Sequence, residues 1–190
     1  MSHHAVFLDR DGTINIDPGY IGKPELVQLF SEVPEGLKEL KKLDFKLVVI
    51  SNQSGIARGY FKAEDVEAVN ARINELLKKD GFAIDAFYYC PFHPDFNSPE
   101  ECQCRKPSPK LVFIAAKELD IDLTKSYFVG DMITDVECGI NAGTKTVLLN
   151  RNLTQETISN LNNQSKIPTF IAGDFKEACK LIANDFIGGY

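Results

Sequence analysis

An α/β fold, a Rossmann-like parallel sheet with helices on both faces, is what this sequence predicts, and three observations predict it. Short apolar runs alternate with longer stretches whose apolar residues recur at helical spacing. The runs are almost continuously apolar, as strands covered on both faces are. The polar clusters fall just after those runs, at the strand ends where open parallel sheets place their ligands. A chain of 190 residues suits one such domain spanning 1–190.

Residues 5–9 (AVFLD) read as the first buried strand, and 34–43 (PEGLKELKKL) as an amphipathic helix with Pro34 in its first turn. The second strand, 45–51 (FKLVVIS), runs into the polar loop NQSGIARGY. Residues 63–80 have helical periodicity and stop at Gly81. A third strand, DAFYYC, ends at Cys90 and enters a loop rich in Pro, Cys and charge. Ser108 and Pro109 read as the cap and first position of a helix reaching about Leu119. SYFVGD (126–131) is a fourth strand, followed by a helix over 133–142 and the strand TKTVLLN. A weaker helix, a short strand near 169–171 and a last helix over 175–185 complete the pattern. One helix and one strand fill each gap between Asp11, Ser51 and Lys106, so no separate cap domain is expected. The site should be open, bordered by loops 14–25, 52–61 and 91–105.

A net charge of −6 argues against an electrostatic grip on nucleic acid or an anionic membrane. The apolar runs are too short to cross a bilayer, and the N-terminus carries no signal-peptide pattern. A cytoplasmic monomer acting on a small anionic molecule is the expectation.

The chemistry begins at VFLDRDGTIN, where Asp9 and Asp11 close an apolar strand. Alone, D-x-D-G-T is more often a turn with an Asx cap than a catalytic site. Here Asp131 ends the fourth strand, and the topology should bring it to the same rim. Three clustered carboxylates repel unless a cation sits among them, and an all-oxygen set suits Mg²⁺. Asp9, fixed at a strand end, is placed to be a nucleophile that forms an aspartyl-phosphate. Asp11 is then free to act as acid and base, its proton affinity raised by Asp9. Ser51 and Asn52 follow the second strand as phosphate-binding candidates, and Lys106 in CRKP supplies a positive charge. Asp135, four residues after Asp131, can hold a metal-bound water or orient Lys106. Arg58 and Arg105 are candidates for a second anionic group of the substrate. Lys23 is more readily a solvated surface charge.

Three of the five cysteines crowd into the third loop. Cys90, His93, Cys102 and Cys104 offer three thiolates and an imidazole, a structural Zn²⁺ set that would staple the zinc loop at about 90–105. Free thiols beside an exposed histidine are the plainer alternative. Cys138 and Cys179 sit among apolar neighbours on helices and read as core. His3 and His4 carry no functional argument.

FLDRDGTIN, VVISNQSGIARGYF, CQCRKPSP and YFVGDMITD resemble, in order and spacing, the four motifs of the haloacid dehalogenase-like phosphatases. More narrowly, the chain resembles the D-glycero-D-manno-heptose-1,7-bisphosphate 7-phosphatases, relatives of the histidinol-phosphate phosphatases. The resemblance implies Asp9 as nucleophile, Asp11 as acid/base, and Ser51 and Lys106 as phosphate ligands. It implies Mg²⁺ on the Asp9 side chain, the Asp11 main-chain carbonyl and Asp131, and a zinc loop. Two positions depart from the family pattern. Phe92 stands where the zinc-loop histidine usually lies, with His93 one residue later, and Met132 replaces a frequent Lys. The Arg-Gly ending of NQSGIARG, DPGYI and the long cysteine loop favour a sugar bisphosphate over histidinol phosphate. A polynucleotide 3′-phosphatase shares the early motifs, against the acidic charge. A receiver-like phospho-acceptor module would also cluster carboxylates around Mg²⁺, but it has no use for Asp11 two residues after the acceptor.

Overall fold

The computed structural model describes residues 2–151 and 167–189. Six parallel strands form its sheet: β1 (Ala5–Leu8), β2 (Lys46–Asn52), β3 (Ala86–Cys90), β4 (Tyr127–Gly130), β5 (Lys145–Leu149) and β6 (Phe170–Ala172), in the order β3-β2-β1-β4-β5-β6. The helices are α1 (Val33–Lys42), α2 (Ala63–Leu77), α3 (Lys110–Glu118), α4 (Ile133–Ala142) and α5 (Phe175–Gly188). The expected elements are therefore present, with boundaries shifted by a residue or a few. The weaker helix expected after β5 lies outside the described residues.

Alternation along each strand divides the core. Val6 and Leu8 of β1, with Leu47 and Val49 of β2, pack on Val33, Leu37 and Leu40 of α1, Val69 and Ile73 of α2 and Phe175 and Ile182 of α5. Ala5 and Phe7, with Val48 and Ile50, face Leu111, Val112 and Ala115 of α3 and Cys138 of α4. Fully burying a side chain such as Phe7 or Leu8 contributes about 1.5–3 kcal/mol, so each face has a driving force for covering itself. This is why the strands are apolar without a break.

Smaller devices end the elements. At the start of α2 the Asp65 carboxylate accepts from the Lys62 N–H at 2.7 Å, and Gly81 closes the helical stretch with φ +86°. α3 begins at Lys110 with Pro109 in the cap position, one residue later than the Ser-Pro pair suggested. His4, without a role in the sequence, packs against Phe45 and Phe186, and its Nε2 lies 2.9 Å from the Leu43 carbonyl. Cys138 and Cys179 are buried. Among the described residues, no helix is long and apolar enough to cross a membrane.

The strand order decides where a ligand can sit. The chain steps outward from β1 to β2 and β3, then returns to lay β4 on the other side of β1. The connections at this reversal part to opposite faces and leave a crevice beyond the C-terminal ends of β1 and β4.

Candidate active site

Asp9 and Asp131 are the first residues past β1 and β4, at that crevice. The Asp9 N–H donates to the Val129 carbonyl at 2.9 Å, carrying the β1–β4 ladder into the site and fixing the Asp9 backbone. Lys106, buried on the far wall, brings its Nζ to 2.7 Å from Asp9 Oδ1, 2.6 Å from Asp135 Oδ1 and 2.9 Å from the Ile50 carbonyl. The contacts to Asp9 and the Ile50 carbonyl are hydrogen bonds, and the contact to Asp135 is an ion pair whose Oδ1 has no hydrogen-bond donor. Its backbone is held by Asn52, whose Oδ1 accepts from the Lys106 N–H at 3.0 Å and whose Nδ2 donates to the Lys106 carbonyl at 3.3 Å. Asn52, expected to bind phosphate, therefore has its amide engaged in holding Lys106.

Asp9, Asp131 and Asp135 are buried, and one carboxylate oxygen from each lies within 4.8 Å of the other two. The acidic trio is thus completed by Asp135 and not by the Asp11 side chain. Burial pushes Asp9 up to about 7 against the pull of Lys106, with Asp135 adding to the rise. Burial and then the Asp9 charge push Asp131 up to about 6. Burial alone would lower Lys106, but Asp135 and Asp9 outweigh it and hold the ammonium charged. Three carboxylates against one buried ammonium is a donor set that fits a divalent cation.

Gly12 is dictated by this geometry. Its φ is +83°, and a Cβ there would fall 2.3 Å from Asp131 Oδ2. The backbone after Asp11 passes directly over the Asp131 carboxylate, and Thr13 Oγ1 donates to Asp131 Oδ1 at 3.3 Å.

Asp11 departs from expectation. Arg10, fully buried, forks its guanidinium onto it, with Nη2 at 2.9 Å from Oδ2 and Nε at 3.1 Å from Oδ1. Asn15 Nδ2 and Gln53 Nε2 each add a hydrogen bond of 2.9 Å. Burial acts to raise the Asp11 proton affinity, but the Arg10 charge and these hydrogen bonds outweigh it and hold the carboxyl below its ordinary range. The direction is opposite to that expected from Asp9 alone, because the Arg10 charge acts on Asp11 at contact distance. Arg10, Gln53 and Asn70 were not singled out in the sequence. A charged residue between two aspartates, at a position whose alternation points inward, was the available signal for Arg10.

The crevice encloses about 480 Å³ and is lined by Asp9, Asp11, Ser51, Lys106 and Asp131, with Tyr20, Arg105 and Met132 among the other residues around it. Arg105 therefore stands where a second anion could reach it. Arg58 does not line this pocket. Its Nη2 lies 3.2 Å from His93 Nε2, its guanidinium stacks 5.2 Å from the Phe96 ring centre, and it pairs with Asp95 at 3.7 Å. Arg58 is thus a brace for the third loop. Lys23 is exposed and also lies outside the pocket lining.

The expected four-ligand zinc set is not gathered in this structure. Cys90 and Cys104 are joined as a disulfide, and Cys102 is a half-buried free thiol. The His93 ring is engaged by Arg58 and by the Asp95 N–H, which donates to Nδ1 at 3.2 Å. A sulfur bonded to another sulfur is not a thiolate, so two of the four donors are absent in this form.

Comparison with known proteins places this geometry. A family model described as HAD-hydrolase-like matches residues 103–178. The chain is 40% identical over 179 residues to the D-glycero-beta-D-manno-heptose-1,7-bisphosphate 7-phosphatase of Photorhabdus laumondii, covering 89% of this chain and 95% of the relative. It is 39% identical over 186 residues to the D-glycero-D-manno-heptose-1,7-bisphosphate 7-phosphatase of Chlorobaculum tepidum, covering 93% and 92%. A crystal structure of a HAD-like protein from Mesorhizobium loti superposes with a TM-score of 0.81 at 32% identity, over 98% of this chain and 87% of that one. The D,D-heptose 1,7-bisphosphate phosphatase of B. bronchiseptica, complexed with magnesium and phosphate, also superposes with a TM-score of 0.81, at 27% identity over 96% and 99%.

Proposed function

The chain is a phosphatase that belongs to the D-glycero-D-manno-heptose-1,7-bisphosphate 7-phosphatase family of haloacid dehalogenase-like hydrolases, and we propose that it removes the 7-phosphate of that sugar bisphosphate through an aspartyl-phosphate on Asp9. The observation that carries the proposal is the buried Asp9 carboxylate at the end of β1, facing a pocket of about 480 Å³ with Lys106, Asp131 and Asp135 around it.

Lys106 holds Asp9 Oδ1 at 2.7 Å, which leaves the other oxygen to attack an incoming phosphorus. Attack by Asp9 forms the carboxylate–phosphorus bond and breaks the bond from phosphorus to the sugar oxygen, and Asp11 gives that oxygen a proton. The proton has to arrive at Asp11 with or after substrate, because Arg10 holds the free carboxylate ionised. A phosphate dianion beside Asp11 raises its proton affinity in the same step. Water then attacks phosphorus, Asp11 takes a proton back, and Asp9 is released with inorganic phosphate. Ser51 donates to a phosphoryl oxygen, and Arg105 receives the 1-phosphate. The partner is a small sugar phosphate, met in the cytoplasm by a monomer.

Mg²⁺ fits the buried carboxylates, held by the Asp9 and Asp131 side chains and the Asp11 main-chain carbonyl. When bound, it neutralises the phosphate and lets an anionic nucleophile approach. Its binding has a pH signature. Asp9 at about 7 and Asp131 at about 6 lie above their unfolded values, near 4. The metal-free fold therefore loses stability as pH climbs from about 4 through 7, since the unfolded chain sheds these protons first. Protons compete with the metal over the same interval. Thermal melts with Mg²⁺ at roughly a hundredfold excess over its Kd should gain about 5–10 °C near pH 8. A markedly smaller gain is expected near pH 5.5, and equal gains would contradict this assignment.

Zinc belongs to the reduced form of the third loop in this proposal. With the Cys90–Cys104 bond opened, Cys90, Cys102, Cys104 and His93 supply a structural donor set. Protein purified under reductant should carry about one equivalent of Zn²⁺ by elemental analysis, and oxidised protein should carry none. No catalytic step passes through it.

The substrate test is phosphate release with Mg²⁺ from heptose 1,7-bisphosphate and histidinol phosphate in parallel. A second phosphate on a charged hydrogen-bond partner supports a preference in kcat/KM of roughly 10²-fold for the bisphosphate. Preference for histidinol phosphate would keep the chemistry and remove the substrate assignment.

A further inference from the structure

Gln53 takes no part in the scheme above, yet it lies between two groups that do. It is buried just past β2, and its N–H donates to the Cys90 carbonyl at 2.8 Å, so its backbone is fixed. Its Oε1 accepts from Arg10 Nη2 at 2.9 Å. Its Nε2 donates to Ser51 Oγ at 2.6 Å and to Asp11 Oδ2 at 2.9 Å. Arg10 is in turn held by Asn70 Oδ1 of α2, which accepts from Nη1 at 3.0 Å.

The donor inventory gives this chain one direction. A guanidinium offers only donors, so the face of the Gln53 amide turned to Arg10 has to be its oxygen. The NH₂ is thereby forced toward Ser51 and Asp11, supplying a hydrogen to each. A hydroxyl that accepts from Gln53 keeps its own hydrogen for another partner, and the pocket is where a phosphoryl oxygen would be that partner. The same amide fixes one oxygen of Asp11 and leaves the carboxylate anchored from the Arg10 side.

We propose that Gln53, with its amide orientation set by Arg10, is a positioning residue that makes Ser51 a hydrogen-bond donor to the transferring phosphoryl group and ties it to Asp11. The inference rests on the aspartyl-phosphate reading of Asp9 and goes beyond it, since it concerns which way the second strand's hydroxyl points.

The test compares Gln53→Met and Gln53→Glu, alone and with Ser51→Ala, on two substrates. Heptose bisphosphate has a poor leaving group that needs a proton. p-Nitrophenyl phosphate has a good one, and its burst of nitrophenolate reports phosphoryl transfer to Asp9 alone. Gln53→Met is expected to slow the burst about tenfold when Ser51 is present and less than twofold beside Ser51→Ala, with a further tenfold loss on the sugar phosphate through Asp11. Arg10→Lys, which keeps the charge and loses the fork, should show the same pattern more weakly. Gln53→Glu keeps the side-chain shape, takes the Ser51 hydrogen and sets a second carboxylate against Asp11 Oδ2, so if Gln53→Met fails to fold it should give a Ser51-dependent loss of the burst at least as large. Equal losses on both substrates, or losses additive with Ser51→Ala, would overturn the proposal and leave Gln53 a structural residue. A burst that survives Asp9→Asn would instead remove the reading of Asp9, with the Gln53 result irrelevant to it.

Discussion

Asp9→Asn should lower phosphate release by at least about four orders of magnitude while leaving the fold intact, the scale seen when a covalent nucleophile is removed. The amide is nearly isosteric but cannot attack phosphorus. Lys106 keeps Asp135 and the Ile50 carbonyl as partners, so the wall behind the nucleophile does not collapse. The substitution should even stabilise the metal-free protein near pH 8. There the native Asp9 carries a buried negative charge beside Asp135, which is what pushes its proton affinity up to about 7. A neutral amide avoids that cost. Phosphate assay and thermal melts on one preparation separate the two effects. Activity persisting within tenfold of wild type would show that Asp9 is not the nucleophile, and Asp131 would be the next carboxylate to replace.

The parts of this site that depend on strand ends were legible in the sequence. Asp9 and Asp131 each follow an apolar run, and any parallel sheet with β1 and β4 adjacent must bring them together. Lys106 was legible from its motif, although its three contacts to Asp9, Asp135 and Ile50 were not. What sequence could not supply was side-chain direction within a shared rim. Asp11 stands two residues from Asp9 but turns to Arg10, and Asp135 takes its place in the acidic trio from the first turn of α4. Arg58 and Arg105 look alike as surface cations, and only packing on Phe96 and His93 removes the first from the pocket. Gln53 and Asn70 are uncharged residues with no period or spacing to mark them. Their meaning comes from contacts with Arg10 across 43 and 60 residues of chain. Buried polar networks of this kind are specified by tertiary geometry, where every donor needs a partner.

Lys106→Met should be the most destabilising single change at the site, because it removes the ammonium from among buried carboxylates and keeps the bulk. The Lys106 side chain is 3% exposed and that of Asp135 1%. Breaking such a pair costs about 3–5 kcal/mol, since the partner is left charged and unpaired. The deficit should depend on pH in a set direction. Near pH 4 and below, the carboxylates bind protons in both folded and unfolded chains, and the variant should melt close to wild type. The unfolded chain is common to both proteins, so the deficit changes only where the two folded forms differ in bound protons. Wild-type Asp9 releases its proton at about 7, while in the variant Asp9 and Asp135, raised by burial and now lacking Lys106, hold theirs to higher pH. The deficit should therefore open as pH rises through about 7 and be largest above it. Asp135→Asn in the Lys106→Met background should recover part of the loss by removing the stranded charge, whereas Asp135→Asn alone should destabilise. A deficit of the same size at every pH would mean that Lys106 acts by packing, and that the charge balance drawn here around Asp9 is wrong.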